Sequence, residues 1–277
     1  MTIFRSNNGW SHVVKGMFLL VVLNACKKEV VQQEQALTAI ESVSAKANQA
    51  EKFNTFNGPE VQMGNGKARS WITISHTGVP SEIGIELTAG ALSGLPSDPL
   101  AFSEEEFVLP LHQKAKEVTP FEHIVINWNP AGHEPGPYQV PHFDFHFYTI
   151  TNQERLTITP ASPLMDQLPD HMYWPQGYVP TPGGVPQMGK HWVNPASPEL
   201  NRAPFTHTFI YGSYAGKFTF DEPMITLAFL KSGASVSMPF NQPAHFQQSG
   251  VYYPTTYNIR QDESGKHYIT LGGFVLR

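Results

Sequence analysis

From Pro141 to Tyr148 the chain reads PHFDFHFY, an unbroken alternation of phenylalanine with polar or ionisable side chains. On a β-strand successive side chains point to opposite faces. Phe143, Phe145 and Phe147 therefore share one face, while His142, Asp144, His146 and Tyr148 share the other. The phenylalanine face requires a core. The second face is left to meet solvent or to form a site.

The rest of the chain repeats this texture. WITIS at 71–75, IGIEL at 83–87, HIVINW at 123–128, FTHTFIY at 205–211, MITLAF at 224–229 and YITL at 268–271 are short apolar or alternating runs separated by turn signals. Gly 22 and Pro 24 in 277 residues supply those turns. The expectation is a mainly β chain, an antiparallel β-sandwich or barrel forming one domain over 57–277. TNQE at 151–154 has the form of a capping box and predicts a short helix just after the PHFDFHFY strand. Residues 160–204, rich in proline and glycine, read as a long loop of the kind that carries function or moves.

The N-terminus reads differently. Arg5, His12 and Lys15 precede an apolar run at 16–23 that is too short to cross a bilayer but suits a signal-peptide core. Leu23-Asn24-Ala25-Cys26 follows and resembles the lipobox of bacterial lipoproteins, and Cys26 is the only cysteine. Residues 1–25 are then a lipoprotein signal peptide, and Cys26 is the lipidated start of the mature chain. The protein would be anchored in the bacterial cell envelope, facing periplasm or exterior. Leu37, Ile40 and Val43 fall at helical spacing within 26–56, which predicts a partly helical tether. A net charge of -5 gives no basic footprint for nucleic acid. The membrane, a small molecule of unspecified class and a second copy of the chain remain as partners.

Imidazole and carboxylate are the usual ligands of zinc and of non-haem iron or manganese, and without a second cysteine a transition-metal site here must use them. Residues two apart on a strand lie about 6.6 Å apart and residues four apart about 13 Å. A histidine holds its metal only about 6 Å from its own Cα. His142 and His146 thus cannot join Asp144 on one ion from a flat strand. Either one neighbouring pair ligates while the third residue orients it, or a bulge bends the strand, or there are two ions. His191 in MGKHW and Glu222 in DEPM are expected to complete the shell, with His133 in GHEP as the reserve ligand. Two readings compete with a metal: a buried polar network in which Asp144 orients two histidines, and a solvated outer face. His112, His123, His171, His207, His245 and His267 lack such context and read as structural.

At these phrases the chain resembles a family of secreted bacterial β-proteins with no assigned reaction, marked by GHEP, PHFDFHFY, a Met-Gly-x-His-Trp segment and an E-P-M segment. The phrases stand here at 132–135, 141–148, 188–192 and 222–224. The resemblance covers roughly Val61 to Phe229 and implies a metal-associated β fold without naming a reaction. The expected function is a lipid-anchored protein with a His/carboxylate site for zinc or another divalent transition metal. That site is hydrolytic if a coordination position is open, with Glu134 or Asp144 as proton acceptor. The alternatives are a cupin-like non-haem iron oxygenase and a non-enzymatic binding or assembly module with a structural metal. No P-loop, G-x-S-x-G or H-E-x-x-H motif offers another chemistry.

Overall fold

The computed structural model describes residues 52–97 and 105–277. The segments expected to be a signal peptide, a lipobox ending at Cys26 and all but the end of a tether lie outside the described residues. In chain order the described strands are β1 (Phe53–Asn57), β2 (Val61–Met63), β3 (Gly66–Ser75), β4 (Pro80–Leu87), β5 (Glu105–Pro110), β6 (His123–Asn129), β7 (His142–Tyr148) and β8 (Val179–Pro180). There follow β9 (Lys190–Val193), β10 (His207–Tyr214), β11 (Lys217–Thr226), β12 (Val236–Pro239), β13 (Tyr252–Tyr253), β14 (Thr256–Gln261), β15 (His267–Gly272) and β16 (Val275–Leu276).

Two antiparallel sheets pack as a sandwich. One has the order β1-β3-β4-β15-β14-β12, with β2 also on β3, and the other β5-β6-β7-β11-β10-β9-β8. Their inner faces meet in one continuous core. Ile72, Ile83, Ile85, Ile269 and Leu271 of the first sheet pack with Ile124, Ile126, Phe143, Phe145 and Phe147 of the second. The PHFDFHFY phenylalanines therefore do face a core, and all three are fully buried.

The opposite face of the second sheet positions the site. β7 runs between β6 and β11, with Asn127 and Met224 flanking Asp144 and with Val125 beside His146; continuing the β11 register sets Glu222 against His146. This outer face is also buried, because two covering segments fold across it. Tyr138 and Phe205 pack on Ile210 and Met224 at one end, and Met188 packs on Val125, Tyr148 and Phe220 at the other. The solvated-face reading is thereby excluded: His142 and His146 have no exposed surface.

The covering segment is tied down where the sequence placed a helix. α2 (Asn152–Arg155) carries the complete capping box of Thr151 and Glu154, and α1 (Gln113–Val118) precedes it with His112 as its cap. Arg155, buried in α2, donates to both oxygens of Glu106 on β5 at 2.9 and 2.6 Å and to Gln187 at 3.1 Å. That fork joins the loop after β7 to the sheet edge.

Two boundaries differ from the sequence reading. Residues 53–56, assigned to the end of the tether, belong to β1, which pairs with β3 from Phe53↔Ser75 to Asn57↔Trp71, so the β domain begins about four residues earlier. Residues 227–229, read as the end of a strand, instead begin α3 (Leu227–Ser232), capped by the Thr226 hydroxyl accepting from Phe229 N at 3.1 Å.

Candidate metal centre

Two groups of three ligand-type side chains stand on the buried outer face. The first joins His133, His142 and Asp144, the second His146, His191 and Glu222, and within each the ligand atoms lie within 4.8 Å of one another. β7 supplies His142, Asp144 and His146. β11 supplies Glu222, β9 supplies His191, and the loop after β6 supplies His133.

In the first group His142 Nε2 stands 3.2 Å from Asp144 Oδ1, and His133 Nε2 stands 3.4 Å from Asp144 Oδ2. The far side of each ring is fixed. His142 Nδ1 lies 2.7 Å from Val140 O and His133 Nδ1 lies 2.8 Å from Glu134 O. A carbonyl only accepts, so both Nδ1 atoms carry the proton and both rings turn Nε2 toward Asp144. Yet at 3.2 Å His142 Nε2 and Asp144 Oδ1 fall short of a well-formed hydrogen bond, with each other or with any other described residue. Asn129 Nδ2 donates to Asp144 Oδ2 at 2.8 Å and fixes the carboxylate. Burial pushes the Asp144 carboxyl upward, but His142 and His133 beside it outweigh burial and hold it well below the usual carboxylate range.

In the second group His146 Nε2 and His191 Nε2 stand 3.5 and 3.6 Å from Glu222 Oε2. Neither nitrogen of His146 makes a hydrogen bond with any described residue. Burial pushes His146 down to about 3 and His191 down to about 4, so both rings are neutral near pH 7. Phe220 braces both with edge-on contacts, its ring centre 4.8 Å from His146 and 5.5 Å from His191. Gly212 makes room for that ring, since a Cβ there would lie 1.9 Å from Phe220 Cζ.

These distances have a chemical meaning. Two atoms bound at 2.0–2.1 Å to one tetrahedral ion are about 3.3 Å apart. The nitrogen–oxygen pairs of both groups cluster about that separation, longer than a charge-assisted hydrogen bond.

The sequence expectations are redistributed by this geometry. His191 and Glu222 do not complete the shell of Asp144; they belong with His146. His133, the reserve, stands beside Asp144 directly. His142 and His146 serve different groups, which matches the two-ion alternative and needs no bulge in β7. Glu134 is brought into neither group. It is exposed and accepts from Gln139 Nε2, while its backbone carbonyl orients His133. Asn129 was missed, because its contact with Asp144 depends on the β6–β7 pairing in which Asn129 faces His142.

A family model described as TTHB210-like, hypothetical protein TTHB210, matches residues 75–128. The match runs from the end of β3 into β6 and contains none of the six clustered residues. No curated protein and no solved structure matches the chain.

Proposed function

We propose that the outer face of the second sheet binds two divalent transition-metal ions, zinc foremost, one at His133, His142 and Asp144 and one at His146, His191 and Glu222. The nitrogen-to-carboxylate spacing of 3.2–3.6 Å carries the proposal. In the second group two imidazoles that burial keeps neutral stand 3.5 and 3.6 Å from one oxygen of the Glu222 carboxylate, and a cation there would draw on all three. Asp144 and Glu222 are diagonal neighbours on paired strands, about 7 Å apart.

Each group offers three ligands, the number in catalytic zinc sites that keep a fourth position for water. An ion there would supply a water acidified toward neutral pH, and hydrolysis is the reaction class that follows. His133 and His191 are the partly exposed members and mark the approach from solvent. Two histidines with one carboxylate is equally the ligand set of non-haem iron oxygenases, and this observation keeps that second reading in play. The lipid anchor at Cys26 belongs to the same proposal and is read by membrane fractionation of Cys26→Ser.

The test is metal content after dialysis, by plasma mass spectrometry, following exposure to zinc, iron(II) and manganese in turn. Wild type should retain about two equivalents, Asp144→Ala and Glu222→Ala about one each, and the double variant none. Equal content in all four proteins, or none in wild type with any metal, would leave a polar network in place of the centre. The metal retained most tightly separates the zinc reading from the iron one.

A further inference from the structure

Beside Asp221 of β11 a cavity of about 320 Å³ opens between strand ends and the segment that follows β12, lined by none of the six clustered residues and sharing with the second group only the ring of Phe220. That volume lies at the small end of ligand pockets, which run from about 300 to 1,000 Å³. Its walls are strongly aromatic, including Phe121, Tyr211, Phe218, Phe240, Phe246 and Tyr253. Alternation along β11 explains its one unusual feature. Glu222 faces outward to the histidines, so Asp221 faces inward, opposite Tyr211 and Phe147 in the strand register.

The Asp221 carboxylate lines this cavity and makes no hydrogen bond or ion pair with any described residue. The hydroxyl of its neighbour Tyr211 is committed elsewhere, donating to Asn241 O at 2.8 Å. Lys217 also lines the cavity but is exposed and forms no ion pair with Asp221. A half-buried carboxylate without a partner is a cost to the fold unless something supplies the missing charge. Aromatic rings present negative faces, and with a carboxylate among them they favour a cation over an anion or a neutral molecule.

We propose that this cavity is a binding site for a small organic cation, an ammonium group on a body the size of a single ring, with the ammonium at Asp221 and the body against Phe218, Phe240 and Tyr211. Glu154 also lines the cavity, but its carboxylate is committed to Thr151 in the capping box, accepting from Thr151 N and Oγ1 at 2.8 Å. The site requires no metal and stands or falls separately from the histidine groups on the other face.

Isothermal titration calorimetry of the full-length chain with three probes of one shape tests it: phenethylammonium, 2-phenylethanol and 3-phenylpropionate. Phenethylammonium should bind at least about tenfold more tightly than the alcohol, with the carboxylate weakest. Asp221→Asn, which keeps the shape, should remove that preference, and Glu154→Gln should retain it. The charge series on wild type decides the ligand class even if a variant folds poorly. Equal affinity for the ammonium and the alcohol, tighter binding of the carboxylate, no binding of any probe, or loss of the preference in Glu154→Gln instead of Asp221→Asn would each overturn the proposal.

Discussion

His123 sits on the same outer face as the two histidine groups, its ring stacked on Tyr148 at 4.8 Å, and it belongs to neither. Burial, with Arg155 nearby, pushes it down to about 4. The ordinary value is near 6.5, so between pH 6.5 and 4 the unfolded chain binds a proton that the native state refuses. Stability is therefore full above pH 6.5 and lost as pH falls toward 4. Replacing His123 by Phe should keep the stack and remove that part of the acid loss. In urea titrations the stability gap between the variant and wild type should shift in the variant's favour by about 2–3 kcal/mol from pH 7 to pH 4. A constant gap would mean that His123 titrates normally. The sequence read His123 as structural because no ligand-type phrase surrounds it. For Asp144, His142 and His146 residue type and spacing were enough to name them as candidates. His133 was harder, because a loop residue's reach depends on a turn whose path no spacing rule gives.

β7 was legible because a period-two pattern with three phenylalanines admits one arrangement, and its core face is where that pattern places it. Phe145 is fully buried in the main core. Phe145→Ala should cost about 3–5 kcal/mol in chemical denaturation, while metal content stays at two equivalents, because the ligands leave the strand from the other face. Loss of metal in a still-folded Phe145→Ala would show that the two faces are not independent. Other elements were less legible for identifiable reasons. β1 reads FNTFN, in which Phe53 and Phe56 are three apart and give no strand period; pairing with β3 decides its conformation. MITLAF is apolar except for Thr226, and periodicity cannot tell a buried strand from a helix in so short a run. The decisive signal was Thr226, whose hydroxyl caps α3. The capping box at Thr151 was read correctly because both of its partners lie within four residues.

Across the whole molecule, the first sheet packs one face on the core and leaves the other bearing surface ion pairs such as Arg69–Glu86, whereas the second sheet has both faces covered. Sequence alternation identified the polar face of β7 but not its covering. Residues 160–204 read only as a long loop, and what they cover follows from contacts such as Met188 in the cluster with Phe220 and Leu200 against the cluster of Tyr138, Ile210 and Met224. A covered polar face is costly while its imidazoles and carboxylates face one another without a cation, and less so with one. Metal should therefore hold the cover in place as well as fill the centre. At a free concentration of a hundred times Kd, each ion adds about 2.7 kcal/mol to stability. Chelation should lower the melting temperature in steps that track the loss of each equivalent. Amide exchange should rise in residues 131–141, which carry His133, and near His191, while β3, β4 and β15 keep their protection. The pattern separates a centre that organises its cover from metal bound adventitiously at the surface, since surface metal has no route to the protection of amides beneath the loops. Unchanged melting and unchanged exchange after complete removal of metal would show that the two groups hold their geometry unaided, as polar networks closed by packing alone.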